Sequence, residues 1–193
     1  MKIFLSASIP DPSRHNEYTG DIKVSTIRDA IVAFTTICAE WNIPFYFGGH
    51  PAISPLIYRA AAKYKNGTNQ IKIYQSSFFR GRTPKEVEYF NNISWTPMIL
   101  GDIKASVDKM RDIMFNENPD TVMAVFIGGM DGIKQEYSRI IKAIPNIMIV
   151  PLSSTGGAAV DIFKMSKCQN PAYSDSYAYL SLFQKLLKKY NGT

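Results

Sequence analysis

Apolar residues recur along this chain in two different ways, and the two alternate. Short unbroken runs read as strands: Lys2 to Ser8, Pro44 to Phe47, Ile71 to Tyr74, Val122 to Ile127 and Ile147 to Leu152. Between them, apolar residues return at intervals of three and four, the period of a helix with one buried face. The clearest case is Val24 to Trp41, where Ile27, Ala30, Ile31, Phe34, Ile37, Cys38 and Trp41 share one stripe. The same spacing predicts helices over Ile53 to Tyr64, Ile103 to Phe115 and Gly132 to Ala143. A short helix should follow Gly157, and a last one should run from Ser176 to Tyr190, either capping the sheet or pairing with another subunit. Pro55 suits the first turn of its helix, where no backbone N–H is needed.

Two segments are less regular. Residues 9–23 carry Pro10, Pro12 and Gly20 and should form a long polar loop of the kind that lids or binding sites use. Between Gln75 and Leu100, Thr83, Pro84 and Glu86 predict a helix start, with Thr83 as N-cap and Glu86 completing a capping box. Ile93 to Ile99 contains Trp95 and Pro97, so a strand there should be short or lie at an edge.

Strands alternating with helices imply βαβ units and a mostly parallel sheet, and runs without polar alternation imply strands covered on both faces. The expectation is a three-layer α/β sandwich with five to seven strands, residues 1–193 forming one domain. In such a sheet ligands bind beyond the carboxyl ends of the strands. Four of these ends carry small or polar residues: Ser6 and Ser8, Gly48-Gly49-His50, Gly128-Gly129, and Ser153-Ser154-Thr155-Gly156. Gly128-Gly129-Met130-Asp131-Gly132 would let backbone approach a phosphate at a helix start, with Glu136 near an attached sugar. Arg28 stands in the first turn of its helix and could face the same edge. Arg111 reads as a surface residue on composition alone.

Composition narrows the chemistry. The net charge is +6 and the pI about 9.2. The positive residues are scattered among acids, apart from Lys185, Lys188 and Lys189 at a helix end, so a small anionic ligand suits them better than a nucleic acid. Two histidines and two dispersed cysteines offer no metal-ligand spacing, and no nucleophile elbow is present, so no metal and no cofactor are expected. No stretch approaches the roughly 20 apolar residues of a membrane span. Cys38 and Cys168 suit a reduced, cytoplasmic setting, in which the triplets at Asn66, Asn92 and Asn191 are chance matches for glycosylation sites.

Phe4-Leu5-Ser6-Ala7-Ser8-Ile9-Pro10, Ile27-Arg28-Asp29-Ala30 and Gly48 to Leu56 resemble the SLOG superfamily, which joins the Smf/DprA and lonely guy proteins. The likeness is greatest to a SLOG cluster family of prokaryotic conflict systems. It covers nearly the whole chain, weakening between Gln75 and Leu100 and after Cys168. It implies a Rossmann-like fold and a nucleotide or NAD/ADP-ribose-derived ligand, sensed or processed in antiviral defence. A TIR-domain or other effector protein would be the partner, and the chain would form a homo-oligomer.

Lonely guy proteins, which cleave the N-glycosidic bond of nucleoside monophosphates, carry Pro-Gly-Gly-x-Gly-Thr-x-x-Glu. Here Gly128, Gly129, Gly132 and Glu136 resemble its glycines and carboxylate, and Arg111 lies near that family's helical arginine. The resemblance implies Glu136 and Arg111 as catalytic residues if the chain is a phosphoribohydrolase-like enzyme. Ile127 replaces the proline, Ile133 the threonine, and one extra residue separates the second and third glycines. These departures bear on hydrolysis more than on binding, which uses backbone N–H groups. A DprA-like nucleic-acid-binding module is the remaining alternative.

Overall fold

The computed structural model describes residues 1–10, 18 and 23–191. The strands are β1 (Lys2–Ser8), β2 (Phe45–Gly48), β3 (Ile71–Ser76), β4 (Ile93–Thr96), β5 (Thr121–Gly128) and β6 (Met148–Leu152). The helices are α1 (Val24–Glu40), α2 (Ser54–Ala61), α3 (Lys85–Glu88), α4 (Ile103–Asn116), α5 (Asp131–Ala143), α6 (Ala158–Met165), α7 (Ala172–Asp175) and α8 (Tyr179–Leu187). All strand pairs are parallel, in the order β4-β3-β2-β1-β5-β6. This is the three-layer, Rossmann-like α/β arrangement that the alternating pattern predicts.

Successive residues of a strand point to opposite faces, and here each face meets its own core. On one side Ile3 and Leu5 of β1 join Ile31, Phe34 and Ile37 of α1, Ile57 of α2 and Phe183 and Leu187 of α8. On the other, Phe4 joins Tyr46, Tyr74 and Phe126 from neighbouring strands with Met114 of α4, Ile140 of α5 and Ile162 of α6. Aromatic rings meet edge to face there, as where Phe4 lies 5.0 Å from Phe115. Two covered faces explain why the strands read as unbroken apolar runs.

The sheet order positions the site. From β1 the chain winds outward through β2, β3 and β4, then crosses back through α4 to β5 on the other side of β1. The crevice where the winding reverses lies at the carboxyl ends of β1 and β5, where Ser8 is in register with Gly128.

Several local expectations change. Thr83 does not cap a helix: α3 is one turn with Pro84 at its N-cap and no side-chain capping bond, and the Glu86 carboxylate pairs with Arg59 at 2.8 Å. The edge strand β4 ends just before Pro97, as expected. The final helix begins at Tyr179, tightens into a 3-10 turn over Lys188–Tyr190, and packs Leu182 and Phe183 into the α1-side core. The one-turn α7 has no counterpart in the sequence pattern. Most of the loop read over 9–23, and the Asn191 triplet in part, lie outside the described residues. No described helix is long and apolar enough to cross a membrane.

Candidate functional site

The turn after β5 is built from two left-handed glycines, Gly128 at φ 60° and Gly129 at φ 83°. An L side chain is strained in that conformation, and here it would also collide. A Cβ on Gly128 would stand 2.5 Å from Ile27 Cδ1, and one on Gly129 would stand 2.0 Å from Ile133 Cδ1 and 3.1 Å from Ser8 Oγ. The turn after β6 supports it from the next strand. Gly128 N–H donates to Thr155 Oγ1 at 2.8 Å, and Ala158 N–H donates to the Gly129 carbonyl at 2.9 Å. Gly157, also left-handed at φ 61°, lies so near that a Cβ would meet the Gly129 oxygen at 2.6 Å. The two turns are therefore one bonded unit.

Below this unit, on the α4–α5 side, stands a carboxylate with a donor on each oxygen. Ser6 Oγ donates to Glu136 Oε2 at 2.6 Å, and Arg111 Nε donates to Glu136 Oε1 at 3.1 Å. The Arg111 guanidinium also donates to Gln135 Oε1 at 2.9 Å and to the Gly132 carbonyl at 3.4 Å, and lies 3.5 Å from Asp108. Arg111 is an interior residue of the site, with its side chain 12% exposed, and not the surface residue that composition suggests. Gly132 has an ordinary backbone; a Cβ there would stand 3.0 Å from Arg111 Nη2, so this third glycine makes room for the arginine. The arrangement holds a carboxylate between a serine hydroxyl and a guanidinium. Its arginine is engaged by protein groups through Nε and both terminal nitrogens.

The other candidates make contacts of their own. Gly48 and Gly49 end β2 on the far flank of β1, and neither adopts a left-handed conformation. A Cβ on Gly49 would stand 1.8 Å from Gln75 Oε1. His50 serves its own turn: its N–H donates to Ser54 Oγ at 3.2 Å, and its Nδ1 accepts from Ala52 N–H at 3.2 Å. Arg28 points outward, 57% exposed, to Asp29 at 2.9 Å. Asp131 pairs with Lys134 at 3.1 Å on the outer side of α5. Ser153 and Ser154 face the α1 side, where the Ser154 hydroxyl shares a 3.0 Å bond with Tyr179.

Sequence reasoning missed a second polar cluster. Tyr18 Oη donates to Asp161 Oδ2 at 2.6 Å, and Lys134 Nζ lies 3.6 Å from the same carboxylate and 5.0 Å over the Tyr18 ring. The hydrogen bond to Tyr18 holds the Lys134 ammonium above the ordinary lysine range, with Asp131 adding to it against partial burial. Tyr18 and Asp161 are 143 residues apart, and no spacing in the sequence connects them.

The family model described as SLOG cluster3 family matches residues 17–187. Among solved structures, the chain is similar to the X-ray structure of TM1055, a Northeast Structural Genomics Consortium target. The TM-score is 0.64 at 14% identity, over 96% of this chain and 98% of that one. That likeness concerns the fold. None of the curated proteins matches the chain in sequence.

Proposed function

This chain belongs to the SLOG cluster3 family, and from that premise we propose that it binds a nucleotide or an NAD- or ADP-ribose-derived small molecule. The ligand lies at the carboxyl ends of β1 and β5, and the protein serves as a sensor or processing component of a prokaryotic defence system. The carrying observation is the left-handed pair Gly128-Gly129 at the point where the winding of the sheet reverses. Gly128 N–H is taken by Thr155 Oγ1, so the donors for a phosphate are Gly129 N–H and the start of α5, which begins at Asp131 without a side-chain cap to occupy its first N–H groups. Glu136, held by Ser6 and Arg111, is within the same cluster to meet ribose hydroxyls.

A second reading, a nucleotide N-glycosidase, is favoured by that ion pair. In it Glu136 stabilises an oxocarbenium-like ribose or orients water, and Arg111 clamps the phosphate. The binding reading ranks first because Glu136 and Arg111 already engage each other and neighbouring protein groups, and Ile133 offers no hydroxyl. A cytoplasmic homo-oligomer working with a TIR-domain or other effector protein completes the proposal.

The test is incubation with AMP, NAD and cyclic ADP-ribose, read by melting temperature and by chromatography for released base. At a ligand concentration about 100 times Kd, binding should raise Tm by about 5–10 °C with no base released. Base release that Glu136→Ala abolishes would replace the first reading with the second. No shift with any of the three would overturn both.

A further inference from the structure

On the α1 side of the joined turns a cavity of about 240 Å³ is lined by Lys23, Thr26, Ser153, Ser154, Ser174 and Tyr177. Thr155 and Gly156 form its wall toward the glycine turn. Thr155 Oγ1 accepts Gly128 N–H, so a hydrogen bond joins this wall to the proposed phosphate turn. The cavity and the Glu136 cluster therefore flank the same backbone from opposite faces of the sheet.

The lining has a definite chemistry. Ser174 Oγ donates to the Pro171 carbonyl at 3.1 Å, which leaves its oxygen as an acceptor, while Thr26 Oγ1 donates to the Lys23 carbonyl at 2.7 Å and also meets the Tyr179 hydroxyl. Lys23 brings a positive charge, and no described residue of the lining is a carboxylate. Acceptor hydroxyls with one ammonium suit a group that donates hydroxyls and carries a negative charge. A sugar phosphate does both. The volume is below the roughly 300 Å³ at which pockets for drug-sized ligands begin, so it holds one part of a nucleotide-like molecule and not the whole.

We infer that this cavity is the second subsite for a two-part ligand, taking a ribose-phosphate group while the other end meets the Glu136 face across Gly128-Gly129. The inference rests on the functional reading above and narrows it to ligands of the dinucleotide or ADP-ribose class.

Titration calorimetry with AMP and with ADP-ribose tests it on the wild type, Lys23→Ala and Ser174→Ala. Both substitutions remove surface-accessible atoms, and circular dichroism checks that each variant folds. ADP-ribose should bind the wild type more tightly than AMP. Lys23→Ala should weaken ADP-ribose about tenfold, the effect of one charged hydrogen bond, and leave AMP within about twofold. Ser174→Ala should act in the same direction with a smaller loss. Equal wild-type affinities for the two probes overturn the inference. So does an equal loss for both probes in Lys23→Ala, or an ADP-ribose affinity that neither variant changes. In each of these cases the functional reading stands. Failure of both probes to bind the wild type removes that reading and the subsite together.

Discussion

Gly48-Gly49 and Gly128-Gly129 end the two strands that flank β1, and along the chain they look alike: an apolar strand, a glycine pair, a helix. Their physical roles differ. The β5 pair occupies left-handed conformations at φ 60° and 83°, so the path of the backbone itself requires glycine. The β2 pair has ordinary dihedrals, and Gly49 is needed for the space into which the Gln75 carboxamide packs, 1.8 Å from where a Cβ would stand. The first pair shapes a turn whose backbone is bonded to the next strand's turn. The second admits a neighbouring side chain, and its turn is closed by hydrogen bonds between His50 and Ser54 and by Gly49 N–H donating to the Tyr74 carbonyl. A glycine pair at a strand end is thus evidence for a ligand only when the dihedrals, and not merely the contacts, demand it.

The sharpest way to break this comparison is to add one methyl group to each turn. Gly129→Ala combines left-handed strain with a clash against Ile133 and should cost about 2–5 kcal/mol by urea unfolding. Gly49→Ala should cost about 1–3 kcal/mol, and Gln75→Ala in the same chain should recover most of it by removing the obstacle. Equal and equally irreparable losses would show that the pairs are not distinct.

The hydroxyls that tie each turn give the next contrast. Thr155→Val keeps the shape but removes the acceptor for Gly128 N–H and the bond to the Leu152 carbonyl, both buried. Its expected cost is about 1–3 kcal/mol, with weaker nucleotide binding in calorimetry, against about 0.5–1.5 kcal/mol for Ser54→Ala with binding unchanged. Weakened binding in the Ser54 variant would bring the β2 turn back into the ligand site.

The smallest effect concerns the foundation of the β2 turn. Gly49 N–H donates to the Tyr74 carbonyl, and the Tyr74 hydroxyl donates to Glu117 Oε2 at 2.8 Å. Hydrogen bonds from Lys72 first and Tyr74 second hold the Glu117 carboxyl below the ordinary glutamate range. A carboxyl lowered in the folded state contributes stability that is present above its unfolded pKa of about 4.3 and is lost as pH falls through the folded value. Glu117→Gln should therefore flatten this part of the acid limb of the stability curve. The change should be about 0.5 kcal/mol or less, because the pair is half exposed and screened by solvent. An acid limb unchanged by the substitution would remove Glu117 from the account.

Much of the fold was legible because local pattern carries it. The apolar run ending at Ile127 marks β5, and the stripe from Ile27 to Trp41 marks α1, since each must cover a face of the sheet. The capping box at Thr83 does not form: α3 starts one residue later, with Pro84 at its N-cap, and Glu86 pairs with Arg59, which no local pattern announces. Arg111 was legible only through its likeness to a family arginine. Its burial depends on α4 lying beside α5, and Gly132 opens the space for its guanidinium.

The sequence by itself determined the order of strands and helices, their parallel packing and the edge of the sheet where small and polar residues gather. Hydrophobic periodicity is local, so a single chain displays it. Only the tertiary structure decided that β5 returns to lie beside β1, that Ser6 meets Glu136 across 130 residues, and that one glycine pair bends the backbone while the other makes room. Those outcomes depend on which faces pack together, and no spacing along the chain records that.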